Sequence, residues 1–149
     1  MDFESDFRKK NEAISLSSAE RQKSAVLILD AESNIRLALR QSLIGLGYGT
    51  VSDAADQSQA LQKIEERHFT HLLFDARQNR PAAKEFLHRV FEMDEELIVI
   101  ATSYEPTVDD VFDLLICGCR GYLMKPFTTQ SLDDALVLST KGERISEAI

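Results

Sequence analysis

The sequence predicts an α/β fold, a five-stranded parallel sheet doubly wound with helices on both faces. Three observations predict it. Short apolar runs alternate with amphipathic stretches of helical period, strand then helix, five times over. Four of the apolar runs stop on a polar residue, Asp30, Asp75, Thr102 and Lys125, as buried strands do where they leave a sheet. The 149-residue length suits one well-buried domain and is short for two.

The elements follow in order. Residues 1–24 form a polar arm, disordered, loosely docked or partly helical, with Ser17 and Glu20 spaced for a capping box. Ala25–Leu29 is the first strand. Ser33–Ile44 is a helix whose apolar face is Ile35, Ala38, Leu39 and Leu43, capped by Ser33 or Asn34 and stopped by Gly45 and Gly47. Tyr48–Ser52 is a short strand, Asp53–Gln57 a turn and Ser58–Glu66 a second helix. The strand His71–Asp75 is central, because its apolar Leu72, Leu73 and Phe74 run straight into a carboxylate. Pro81 suits the first turn of a third helix with Phe86, Leu87, Val90 and Phe91 on its buried side. Leu97–Ala101 is the fourth strand, ending at Thr102 and Ser103. Thr107 caps a fourth helix with Asp110 three residues on, and Val108, Val111, Phe112, Leu115 and Ile116 form its apolar face. Gly121–Met124 is the last strand. Thr128 or Thr129 caps a fifth helix carrying Leu132, Ala135, Leu136 and Leu138. The domain is placed at residues 25–141, and 142–149 form a tail or the start of a linker.

Composition narrows the function classes. A 44% hydrophobic and 28% charged content fits a globular protein in water, and no apolar run is long enough to span a membrane. The acidic start M-D-F-E-S-D-F is no secretory signal. A net charge of −8 disfavours non-specific nucleic-acid binding. Cys117 and Cys119 make neither a disulfide framework nor a zinc pair, and a reducing cytoplasm is the expected location. His68, His71 and His88 have no coherent ligand spacing. The run Gly45-Leu46-Gly47-Tyr48-Gly49 lies between a helix and a strand, the reverse of a phosphate loop, and reads as a helix stop.

Right-handed crossovers bring the carboxyl ends of parallel strands to one rim. Asp30, Asp75, Thr102 and Lys125 would then share a crevice: two carboxylates, a hydroxyl and an ammonium. Neighbouring acids raise each other's cost of ionising unless a cation relieves it, and a hard divalent ion such as Mg2+ takes oxygen ligands. The Asp75 carboxylate is placed to attack phosphorus, giving an aspartyl phosphate. Lys125 would pair with phosphoryl oxygens and Thr102 donate to one.

V-L-I-L-D, H-L-L-F-D, I-V-I-A-T-S and G-Y-L-M-K-P-F stand in an order and spacing that resemble the response-regulator receiver domain of two-component signalling. The resemblance implies a flavodoxin-like sheet of strand order 2-1-3-4-5. It implies Asp75 as phosphoacceptor, Thr102 and Tyr122 as switch residues, Lys125 as the phosphate-pairing lysine, and Mg2+ held by Asp30, Asp75 and the Arg77 backbone carbonyl. A histidine kinase or phosphotransfer protein would donate the phosphoryl group. The fourth helix, fifth strand and fifth helix would bind an output partner or a second copy. Activity beyond phosphoacceptance would be autophosphatase at most. Two departures stand out: Ala31 replaces the second acid after the first strand, and the loop Ala76-Arg77-Gln78-Asn79-Arg80 lacks a methionine-proline. The first weakens the implied metal site. A pseudo-receiver that binds partners without phosphorylation is the alternative, and a flavodoxin-like flavin or nucleotide binder the third reading.

Overall fold

The computed structural model describes residues 15–76 and 80–142, so expectations placed on 1–14, on Arg77 and on 143–149 lie outside it. Five strands, β1 (Ala25–Leu29), β2 (Thr50–Ala54), β3 (His71–Asp75), β4 (Ile98–Tyr104) and β5 (Gly121–Lys125), pair in parallel in the order β2-β1-β3-β4-β5. Among the described residues there are six helices, α1 (Ser18–Lys23), α2 (Ser33–Gly45), α3 (Gln57–Glu66), α4 (Arg80–Met93), α5 (Val108–Ile116) and α6 (Thr129–Lys141). The chain steps outward from β1 to β2, then crosses back to β3, so the order reverses between β1 and β3. A crevice opens at such a reversal.

Because helices cover both faces, the central strands are apolar on both sides rather than alternating. Leu27, Leu29, Leu72, Phe74, Val99 and Ala101 face a layer built from α3, α4 and α5, where Phe74 stacks on Phe86 with centroids 5.1 Å apart. Val26, Ile28, Leu73, Ile100 and Leu123 face α2 and α6 through Leu39, Leu43, Leu132, Leu136 and Val137. The register sets Asp75 opposite Thr102 and Tyr104 opposite Lys125, so the polar strand ends meet on one rim.

Several local expectations are corrected. The second strand lies two residues later than expected, at Thr50–Ala54, because Tyr48 is buried against the α2–α6 layer. The cap of α2 is Glu32, with no side-chain cap bond; instead its backbone N–H donates to Asp30 Oδ1 at 2.9 Å. On α5, Val108, Phe112 and Ile116 are exposed and Leu114 is the buried residue. Six of its nine residues are apolar, so periodicity alone does not choose which of them form its inner face. On α6, Leu138 is exposed and Val137 buried. The capping boxes Thr107–Asp110 and Thr128–Ser131 both form.

The described part of the N-terminal arm is packed rather than loose. Ser17 caps α1, and Leu16 is buried among the side chains of the α2–α6 layer, a burial stabilising by roughly 1.5–3 kcal/mol. Arg21 pairs with Asp133 of α6 at 2.7 Å and donates to the Leu46 carbonyl at 3.4 Å. Lys141 pairs with Glu20 at 2.8 Å.

Candidate functional site

Asp30 is 1% exposed and its two carboxylate oxygens are both engaged: Glu32 N–H donates to Oδ1, and Lys125 Nζ lies 2.6 Å from Oδ2. The same Nζ is 3.3 Å from Asp75 Oδ1. Lys125 is the last residue of β5, so its stem spans the ends of β4 and β3 to reach the acid that follows β1. A (CH2)4 stem gives that reach. Arg36 donates to the backbone carbonyl of Asp30 at 2.7 Å and fixes the start of the β1–α2 turn. Burying such charges is tolerated only because they are paired and hydrogen-bonded.

Thr102 stands beside Asp75 through the strand register, and its hydroxyl donates to the Phe74 carbonyl at 3.4 Å. It is buried at the rim without a bond to either carboxylate among its described contacts. Tyr122 on β5 is half-buried, and its hydroxyl lies 2.6 Å from Ser103 Oγ. Burial pushes the Tyr122 phenol above its ordinary value, with the Ser103 hydrogen bond acting the other way. Tyr122, Ser103, Ala76, Pro106 and Leu114 line a cavity of about 370 Å3 beneath the β4–α5 turn, next to the rim.

The structure therefore brings Asp30, Asp75 and Lys125 into contact and sets Thr102 and Tyr122 alongside. Arg77 lies outside the described residues. Three neighbours were not singled out as site residues from the sequence: Glu32, Ser103 and Tyr104. Tyr104 OH donates to Glu32 Oε2 at 3.4 Å, and Lys125 Nζ is 5.2 Å from the centre of the Tyr104 ring. An aromatic two residues past the strand-end threonine was the available signal for Tyr104. Ser103 and Glu32 give no pattern of their own.

The donor set fits a resident metal poorly. Two carboxylates are present and both approach the same ammonium, while the exposed Ala31 offers a methyl group next to Asp30. Among the described residues no three His, Cys, Asp or Glu side chains group to hold a cation. Cys117 and Cys119 are free thiols, and burial pushes the Cys119 thiol far up, which leaves it unreactive.

Comparison with known proteins agrees with this geometry. The family model described as "Response regulator receiver domain" matches residues 26–137. The chain is 29% identical over 126 residues to chemotaxis protein CheY of Pseudomonas aeruginosa, covering 83% of this chain and 97% of that protein. It is also 29% identical over 111 residues to the sensor protein EvgS of Escherichia coli K12, covering 74% of this chain but 9% of that much longer protein. Among solved structures, chemotaxis protein CheY4 of Vibrio cholerae superposes with a TM-score of 0.69 at 25% identity, covering 76% of this chain and 95% of that one. A five-stranded parallel sheet of order 2-1-3-4-5, a lysine joining two strand-end acids and a family match over three-quarters of the length place the chain in the response regulator receiver domain family of two-component signalling.

Proposed function

We propose that Asp75 is the phosphoacceptor and that its phosphorylation switches a protein-binding surface. The observation that carries the reading is Lys125 Nζ held 2.6 Å from Asp30 and 3.3 Å from Asp75. An ammonium so placed can follow a phosphoryl oxygen onto Asp75 and neutralise its charge. A histidine kinase or phosphotransfer protein supplies the group: the Asp75 carboxylate attacks phosphorus, the donor's P–N bond breaks, and an acyl phosphate forms. Thr102 and Tyr122 then move toward the new charge, and the β4–α5 turn follows. The surface that reads the change is α5, β5 and α6, where Val108, Phe112, Ile116, Met124 and Leu138 are exposed. Exposed apolar side chains of this kind suit an output protein or a second copy. A cytoplasmic setting accords with this role, and any catalysis is limited to hydrolysis of the chain's own acyl phosphate.

The test is labelling with acetyl phosphate or a cognate kinase. Asp75→Asn is expected to abolish incorporation at least a hundredfold while leaving the thermal midpoint within a few degrees; incorporation that survives this change would overturn the assignment. A second reading, a pseudo-receiver binding partners without phosphorylation, is favoured by Ala31. We assign the chain a weakened Mg2+ affinity on the same ground. Ala31→Asp adds a carboxylate beside Asp30, and the variant is expected to bind Mg2+ at least tenfold more tightly than the parent by amide-shift titration. Equal affinity would show that position 31 does not limit the site.

A further inference from the structure

The two faces of the sheet meet at its β5 edge, where α5 packs on one face and α6 on the other. Val108, Phe112 and Ile116 follow one ridge of α5 at i, i+4 and i+8. With Met124 on β5 and Leu138 on α6 they are 44–84% exposed. Between β5 and α6 lies a groove of about 430 Å3 lined by Met124, Pro126, Ala135 and Leu138, and by the exposed Asp134.

The exposed charges around these side chains have one sign. α5 carries no basic residue. Asp109 on α5, Asp134 on α6 and Glu105 in the turn before α5 are all exposed. The cations of the same stretch are committed or remote. Lys125 is buried against Asp30 and Asp75. Lys141, at the far end of α6, pairs with Glu20 of α1 at 2.8 Å. Arg120 is half-buried just before the amino end of β5. A two-fold pairing would set this surface against itself. Asp109 and Asp134 would then enter an interface to which neither copy, among the described residues, brings an uncommitted cation, and like charges brought together oppose association.

We propose that α5, β5 and α6 dock a basic amphipathic helix of another protein rather than a second copy of this chain. Apolar side chains of the partner pack on the Phe112 ridge and into the groove beside Leu138, while lysines or arginines on its flanks meet Asp109 and Asp134. The apolar contacts supply affinity, and the acids steer the encounter and refuse an acidic partner. The inference rests on this surface being the output face, and it does not require Asp75 to be the acceptor.

The experiment uses two synthetic helical peptides with leucines at i, i+3, i+4 and i+7, flanked by lysines in one and by glutamates in the other. Affinity is read from the amide shifts of the protein, with and without beryllofluoride, and self-association from sedimentation. The lysine peptide is expected to bind at least tenfold more tightly than the glutamate peptide, to shift amides of α5, β5 and α6, and the protein to sediment as a monomer. Phe112→Ala with Leu138→Ala, and separately Asp109→Asn with Asp134→Asn, are each expected to weaken binding at least tenfold. Glu65→Gln with Glu66→Gln removes the same charge from α3 and is expected to leave affinity within twofold. Equal binding of the two peptides, shifts that map elsewhere, or a dimer that Phe112→Ala dissolves would overturn the proposal. If the lysine peptide binds with this dependence and beryllofluoride changes nothing, the docking chemistry stands and the switch assigned to Asp75 fails. If beryllofluoride moves the amides of Thr102 and Tyr122 but neither peptide binds in either state, the docking chemistry fails and the switch stands.

Discussion

Lys125→Met is expected to cost the domain about 3–5 kcal/mol in urea unfolding at neutral pH, the scale on which one partner is removed from a buried pair. The methionine refills most of the volume of the stem, so packing is nearly conserved. What is lost is the ammonium 2.6 Å from Asp30, a residue 1% exposed, and 3.3 Å from Asp75, which screens the two acids from each other. Two acids would then share a rim with no charge between them. The Glu32 N–H still donates to Asp30 Oδ1, but one neutral donor does not balance a buried carboxylate. Pairing the change with Asp30→Asn is therefore expected to restore more than half of the loss, because the amide needs no counter-ion. A single variant that loses under 1 kcal/mol, or a double variant no more stable than the single, would show that solvent already screens these acids. The same variant is expected to accept no phosphoryl group at an appreciable rate even where it remains folded, which separates the stabilising role of the lysine from its chemical one.

Much of this architecture could be read from residue order, and the limits of that reading are physical. Apolar runs ending on Asp30, Asp75, Thr102 and Lys125 carried both the strands and their common rim, since parallel strands buried on both faces leave an uninterrupted hydrophobic signal. The helix cap at Thr107 was legible because a capping box is a local hydrogen-bond pattern, whereas Thr128 and Thr129 stood as equal candidates until the fold chose Thr128. The inner face of α5 was not, because Val108, Phe112 and Ile116 are as apolar as Leu114, and only packing against the sheet selects among them. The anchoring of Leu16 and Arg21 against α2 and α6 was equally hidden, since Asp133 and Leu46 are distant in sequence. Most of the new site information is of that kind. Lys125 bonds Asp30 rather than resting on Asp75 alone, and Tyr104 meets Glu32 across a strand. Such contacts depend on sheet order and side-chain reach together, and neither is written in a spacing.

Acid should weaken the fold through His71, at the opposite end of the central strand from Asp75. This imidazole opens β3, is 1% exposed, and is clasped by two hydroxyls, Thr70 Oγ1 at 2.7 Å and Thr140 Oγ1 at 2.8 Å. Tyr48 meets it edge-on with centroids 6.3 Å apart. Burial, helped by the nearby Arg120 charge, lowers its pKa to about 4 from the ordinary 6.5. The ring is thus neutral in the fold throughout the range in which the unfolded chain would take up a proton. Between pH 6.5 and 4 the unfolded state binds more protons, so stability is complete above pH 6.5 and falls as the pH drops, fully lost only below the folded value. A shift of 2.5 units corresponds to about 3 kcal/mol lost on reaching pH 4. His71→Gln keeps a polar group between the two hydroxyls but removes the titration. Its unfolding free energy is expected to be lower than the parent's at pH 7.5 yet flatter by about 3 kcal/mol between pH 7 and 4. Parallel pH profiles for the two proteins, or a His71 ring that titrates near 6.5 by NMR, would place the acid sensitivity elsewhere.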